Sequence, residues 1–112
     1  MTFEAAGWEV LGNEVAPAYV DAINSKTLRS SEPHVEEMLL ASKHLQATLS
    51  LKDTVNFSDL LMILVATPTG IGEHAYDTGV LSKVLDDIAN LGVRDKHIVI
   101  ACTVLPGYIA NI

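Results

Sequence analysis

Met62-Ile-Leu-Val-Ala-Thr-Pro-Thr69 and, further along, Ile98-Val-Ile-Ala-Cys-Thr-Val-Leu-Pro-Gly107 decide how this chain folds. Each is an apolar run that reaches a threonine, Thr67 or Thr103, with a proline close behind. Strands of a buried parallel sheet read as continuous apolar runs, because both faces are covered. A helix-patterned segment opened by Tyr76-Asp77-Thr78 lies between the two runs. Strand, helix and strand in that order make a parallel unit, and ligands of such sheets bind outside the carboxyl ends of the strands. Thr67 and Thr103 fall at those ends, where a nucleotide cofactor would lie.

The same alternation extends outward. Met1 to Ala6 reads as the tail of a helix stopped by Gly7. Trp8 to Leu11 is a short strand, ended by Gly12-Asn13-Glu14. Pro17 to Ile23 forms a helix with its proline in the first turn, where the missing N–H costs nothing. After the polar loop Asn24 to Ser31, Glu32-Pro33 opens a helix from His34 to Lys43, with Val35, Met38, Leu39 and Ser42 on one face. Leu45 to Leu49 is a strand and Leu51 to Phe57 a helical turn. Asp59 to Ala66 is the strongest strand. The loop Thr67 to Ala75 carries Gly70 and Gly72. Asp77 or Thr78 caps a helix to Leu91, with Val80, Leu81, Val84, Leu85 and Ile88 as its buried stripe. Gly92 ends that helix. His97 to Thr103 is the last strand, and Pro106-Gly107 turns the chain away. The class is α/β, a doubly wound parallel sheet with helices on both faces and right-handed crossovers.

Composition narrows the function. The 112 residues suit one domain, and a hydrophobic content of 49% excludes a disordered chain. A formal charge of -7 argues against a nucleic-acid partner, which needs a basic face. It permits a nucleotide ligand, whose phosphates can be held by loop amides and helix N-termini. No apolar run approaches the ~20 residues that span a bilayer, and Met1 to Val10 lack the pattern of a signal peptide, so the expected location is cytoplasmic. Cys102, the single cysteine, fits a reducing compartment. His34, His44, His74 and His97 match no zinc spacing, so no metal site is expected.

One part of the pattern is missing. In a dinucleotide-binding fold the first strand leads into a Gly-rich turn, and the second strand ends in an acid roughly 20 residues beyond the glycines. Glu14 sits at the end of the first strand here, and no Gly-x-Gly-x-x-Gly occurs in the chain. Gly70-Ile-Gly72 lacks the third glycine and lies in a loop. The sequence therefore reads as an incomplete Rossmann-like sheet, with Met1 falling inside the first helix of a larger domain.

From Gly7 to Gly107, about nine-tenths of the chain, the residues resemble the N-terminal domain of the UDP-glucose/GDP-mannose dehydrogenase family. The family's second strand and following helix are similar to Gly7-Trp-Glu-Val-Leu-Gly-Asn-Glu14 and Pro17 to Asn24. Its Glu-Pro element is similar to Glu32-Pro33. Its Val-Pro-Thr-Pro strand end is similar to Val65-Ala-Thr-Pro68, with Ala66 in place of the first proline. Its Ser-Thr-Val-x-Pro-Gly strand end is similar to Cys102-Thr-Val-Leu-Pro-Gly107. The matches come in the family's order and spacing.

The resemblance implies a partial NAD-binding domain over residues 1–112, with the substrate and C-terminal domains absent. It implies oxidation of a sugar 6-hydroxyl to a carboxylate, with successive hydride transfers to NAD. UDP-glucose is the expected nucleotide-sugar substrate, and GDP-mannose and UDP-N-acetyl amino sugars are alternatives. The complete enzyme is expected to be a homo-oligomer, and the isolated chain inactive. Glu14 would accept hydrogen bonds from the adenosine ribose and disfavour the extra phosphate of NADP. Thr67 and Pro68 would form a cofactor wall. Thr103 would stand near the nicotinamide and help to position cofactor and an ordered water, a task for a group that both donates and accepts. Cys102 reads as buried strand packing, because the family's nucleophile lies beyond Ile112 and no neighbouring His or Lys activates this thiol. Two other readings stand beside this one. A 3-hydroxyacid or 6-phosphogluconate type dehydrogenase would share fold and cofactor, and a non-enzymatic remnant or interaction module would keep only the sheet.

Overall fold

The computed structural model describes residues 1–69 and 76–111. Gly70, Gly72, Glu73 and His74 of the expected loop lie outside the described residues. The chain divides into two compact units, Met1–Phe57 and Ser58–Ile112.

In the first unit, helix α1 (Thr2–Ala5) leads to strand β1 (Val10–Asn13), helices α2 (Pro17–Asn24) and α3 (Val35–Ala41), strand β2 (Leu45–Thr48) and helix α4 (Leu51–Phe57). Gly7, with φ at 101°, closes α1. Its N–H bonds the Glu4 carbonyl and the Trp8 N–H bonds the Phe3 carbonyl, satisfying helix carbonyls that would otherwise have no partner. Trp8 thus belongs to the end of the helix, and β1 starts two residues later than its apolar character suggests. β1 and β2 pair in parallel, Val10 with Leu45 through Asn13 with Thr48. Val20, Leu39, Ala47 and Val55, one from each of α2, α3, β2 and α4, are buried.

Two side chains join distant parts of this unit. Glu4 Oε1 accepts the Lys43 and His44 N–H groups at 2.8 and 3.1 Å, tying α1 to the start of β2. Those two amides hold the Glu4 carboxyl below its ordinary pKa. Asn24, the last residue of α2, donates from Nδ2 to the Ala47 carbonyl at 2.9 Å and accepts the Ala47 N–H on Oδ1 at 2.8 Å. Its amide thereby reproduces, for one residue of β2, the pair of bonds a neighbouring strand would make.

In the second unit, strand β3 (Leu60–Ile63), helix α5 (Gly79–Asn90) and strand β4 (His97–Ile100) precede a short 3-10 turn at Ile109–Asn111. β3 and β4 pair in parallel, Leu60 with His97 through Ile63 with Ile100. Thr78 is the N-cap of α5 and makes no side-chain bond to the helix; Asp77, one residue earlier, accepts the Gly79 N–H on Oδ1 at 2.9 Å. Leu81 and Ile88 of the apolar stripe are buried, Val84 and Leu85 half-buried, and Val80 exposed. Within β3, Leu61 and Ile63 are buried, while Leu60 and Met62 on the opposite face stay exposed in this unit.

Both strands are shorter than their apolar runs. The last ladder bond runs from the Ala101 N–H to the Ile63 carbonyl at 2.9 Å. Beyond it the Cys102 sulfur accepts the Val65 N–H at 3.4 Å, a group that continued pairing would have needed. Strand geometry therefore gives way just before the two threonines.

Candidate cofactor-binding edge

Glu14 follows β1 directly, and its N–H continues the ladder by donating to the Thr48 carbonyl at 3.1 Å. The side chain is half-buried. Its Oε1 accepts the Val15 N–H at 2.8 Å and the Ala16 N–H at 3.3 Å, directly ahead of the proline that begins α2. The carboxylate is thus fixed by backbone at the carboxyl edge of the β1–β2 pair. A carboxylate offers about four acceptor positions, so capacity remains for ribose hydroxyls. These remaining acceptor positions suit the donating hydroxyls of the adenosine ribose of a dinucleotide.

Thr67, Pro68 and Thr103 belong to the second unit. Thr67 lies four residues beyond Ile63, and Thr103 three beyond Ile100, on segments that leave the same edge of one parallel pair. Thr67 is half-buried; Pro68 and Thr103 are exposed. The Pro68 carbonyl accepts the Asp77 N–H at 2.8 Å, and Thr69 and Tyr76 form an antiparallel bridge. The stem carrying Thr67 is therefore fastened to the start of α5. Both threonines stand past their strand ends, on segments without strand pairing, and this edge fits a cofactor that lies across the carboxyl ends.

Cys102 departs from its expected setting. It lies past the end of β4 and is half-buried. Besides accepting the Val65 N–H, its thiol donates to the Ile63 carbonyl at 3.4 Å. The thiol therefore links the carboxyl ends of β3 and β4. Composition and periodicity gave no sign of this, because the partners are 37 and 39 residues away. The bond between Ser82 Oγ and the Tyr108 hydroxyl, at 2.7 Å, was equally illegible. Among the described residues no group of three or more His, Cys, Asp or Glu is placed to hold a metal ion, and no helix is long and apolar enough to cross a membrane.

Residues 1–112 match the model of the NAD binding domain of the UDP-glucose/GDP-mannose dehydrogenase family. A GDP-mannose 6-dehydrogenase of Pseudomonas syringae pv. tomato is 34% identical over 116 residues, a match covering 96% of this chain and 26% of that protein. A GDP-mannose 6-dehydrogenase of Pseudomonas putida is 32% identical over 117 residues, with the same coverage. Among solved structures, a ternary complex of GDP-mannose dehydrogenase from Pseudomonas aeruginosa is similar with a TM-score of 0.87 and 30% identity, over 98% of this chain and 26% of the other. A UDP-D-ManNAc dehydrogenase from Pyrococcus horikoshii shares the fold at a TM-score of 0.80 and 24% identity, over 97% of this chain and 26% of the other. The chain spans about a quarter of the length of the relatives it matches.

Proposed function

Because the chain belongs to the UDP-glucose/GDP-mannose dehydrogenase family, within its NAD-binding domain, we propose that it is the cofactor-holding part of a nucleotide-sugar 6-dehydrogenase acting on GDP-mannose. The observation that carries this reading is the 34% identity to a GDP-mannose 6-dehydrogenase over nearly the whole chain. It favours GDP-mannose over UDP-glucose, the substrate that the family resemblance put first.

NAD is the cofactor of this domain, and when bound it accepts hydride from the sugar carbon that is oxidised. The chain's residues bind and orient. Glu14 accepts the adenosine ribose hydroxyls, and its charge repels the added phosphate of NADP. Thr67 and Pro68 wall the cofactor; the fixed φ of proline keeps the backbone from folding across it. Thr103 holds the nicotinamide end by donating one hydrogen bond and accepting others.

The test is NADH formation by the longest in-frame product that contains this chain, given GDP-mannose, UDP-glucose or UDP-N-acetylmannosamine in turn. Turnover with GDP-mannose supports the proposal. Turnover with another sugar nucleotide alone overturns the substrate, and failure to bind NAD or to oxidise any of them overturns the enzyme reading.

A further inference from the structure

Thr103 stands on a segment that side chains hold at both ends. At its start, the Cys102 thiol accepts the Val65 N–H and donates to the Ile63 carbonyl, both at 3.4 Å. Val65 is two residues ahead of Thr67, and Cys102 is the immediate neighbour of Thr103. One sulfur atom therefore connects the two stems that carry the threonines. At the far end, the Tyr108 hydroxyl meets Ser82 Oγ of α5 at 2.7 Å in a half-buried contact. Gly107, with φ at 90°, turns the chain between the two anchors. The Tyr108 N–H closes that turn on the Leu105 carbonyl at 3.2 Å. No strand pairing supports residues 103–107, so these side-chain bonds take over the task of fixing them.

We infer that Cys102 and Tyr108 are positioning residues for the nicotinamide end of the cofactor, which set where Thr103 stands against Thr67. This rests on the placement of Thr67 and Thr103 in the cofactor site proposed above. Both would act through Thr103 and not by contact with the cofactor. The thiol acts because it both donates and accepts, so one atom can hold an N–H and a carbonyl together. A serine hydroxyl has the same two capacities, and an alanine has neither. Small displacements of a positioning group carry large kinetic effects, since the reacting atoms must meet within a narrow geometry.

The experiment uses the full in-frame product containing this chain and the variants Cys102→Ala, Cys102→Ser, Tyr108→Phe and Ser82→Ala. Steady-state kinetics with NAD and the sugar nucleotide that the enzyme oxidises are read beside calorimetric affinity for ADP-ribose, which lacks the nicotinamide. Cys102→Ala and Tyr108→Phe should each lower kcat/KM for NAD about tenfold, with ADP-ribose affinity unchanged. Cys102→Ser should recover most of the loss. Ser82→Ala should match Tyr108→Phe, and the double variant should be no worse than either alone. Variants within about twofold of wild type would overturn the inference while leaving the proposed function intact. So would a parallel fall in NAD and ADP-ribose affinity that Cys102→Ser does not repair, since that marks a general loss of structure. A wild-type protein that binds no NAD overturns both.

Discussion

At the scale of single residues, two glutamates use the same chemistry for different ends. Glu4 and Glu14 each turn a carboxylate onto a pair of backbone amides. Glu4 joins elements some forty residues apart, whereas Glu14 binds amides of its immediate neighbours and keeps acceptor capacity at the sheet edge. Replacing Glu14 by Gln in the full in-frame product should weaken NAD binding by about tenfold, the loss expected for hydrogen bonds to a charged group. It should also narrow the preference for NAD over NADP, and calorimetry with both dinucleotides checks this. For Glu4 the prediction concerns pH. Its folded pKa lies below the unfolded one, so its stabilising effect is complete above the ordinary carboxylate range and is lost as pH falls through the lowered folded value. Glu4→Ala should therefore melt below wild type at neutral pH, and the gap should narrow on acidification. A gap that is constant down to acid pH would show that the two amides gain nothing from the charge.

At the scale of elements, helix α5 tests how far periodicity can be trusted. The spacing places Val80 and Leu81 in one apolar stripe, yet Leu81 is 0% exposed and Val80 is 56% exposed. Leu81→Ala should cost about 2–5 kcal/mol as a buried leucine truncation. Val80→Ala should stay within about 0.5 kcal/mol. Denaturant unfolding, at dilutions where the chain is monomeric, separates the two. Strand β2 carries a second test. Ala47 is buried, and both its backbone polar groups bond to Asn24. Asn24→Ala leaves that N–H and carbonyl without their side-chain partner and should cost about 1–3 kcal/mol in the same assay. Helices α2 and α5 and the identities of all four strands were legible from apolar spacing, proline at a helix start and glycine at a helix end. Strand ends were not legible, because an apolar run does not reveal where its hydrogen bonds stop. Thr67 lies outside its strand, as the loop reading had it, whereas Thr103, read as the last residue of its strand, stands three residues beyond Ile100, and Cys102 takes the Val65 N–H that further pairing would have used.

At the scale of the whole molecule, each unit holds a parallel sheet of two strands among its described residues, so strand edges remain without a partner strand. Leu60, Met62, Ile98 and Val99 are exposed on or beside such edges. Apolar edges of this kind invite pairing with other chains. The 112-residue chain purified by itself should self-associate as its concentration rises and bind NAD weakly; sedimentation velocity and calorimetry read these two properties. A monomer with a sharp melting transition and tight NAD binding would count against it. The sequence by itself determined the α/β class, the order of helices and strands, the family and the cofactor. Class and order follow from local periodicity and helix-end residues, and the family with its NAD from a resemblance carried by short motifs, all of which lie within a few neighbouring positions. Only the tertiary structure decided where β3 and β4 end, that Asn24 occupies the edge of β2, that Glu4 is an acceptor for the start of that strand, and that a thiol and a tyrosine hydroxyl hold the segment bearing Thr103. Each of these joins groups more than twenty residues apart, and such pairings exist only once folding has brought the partners together.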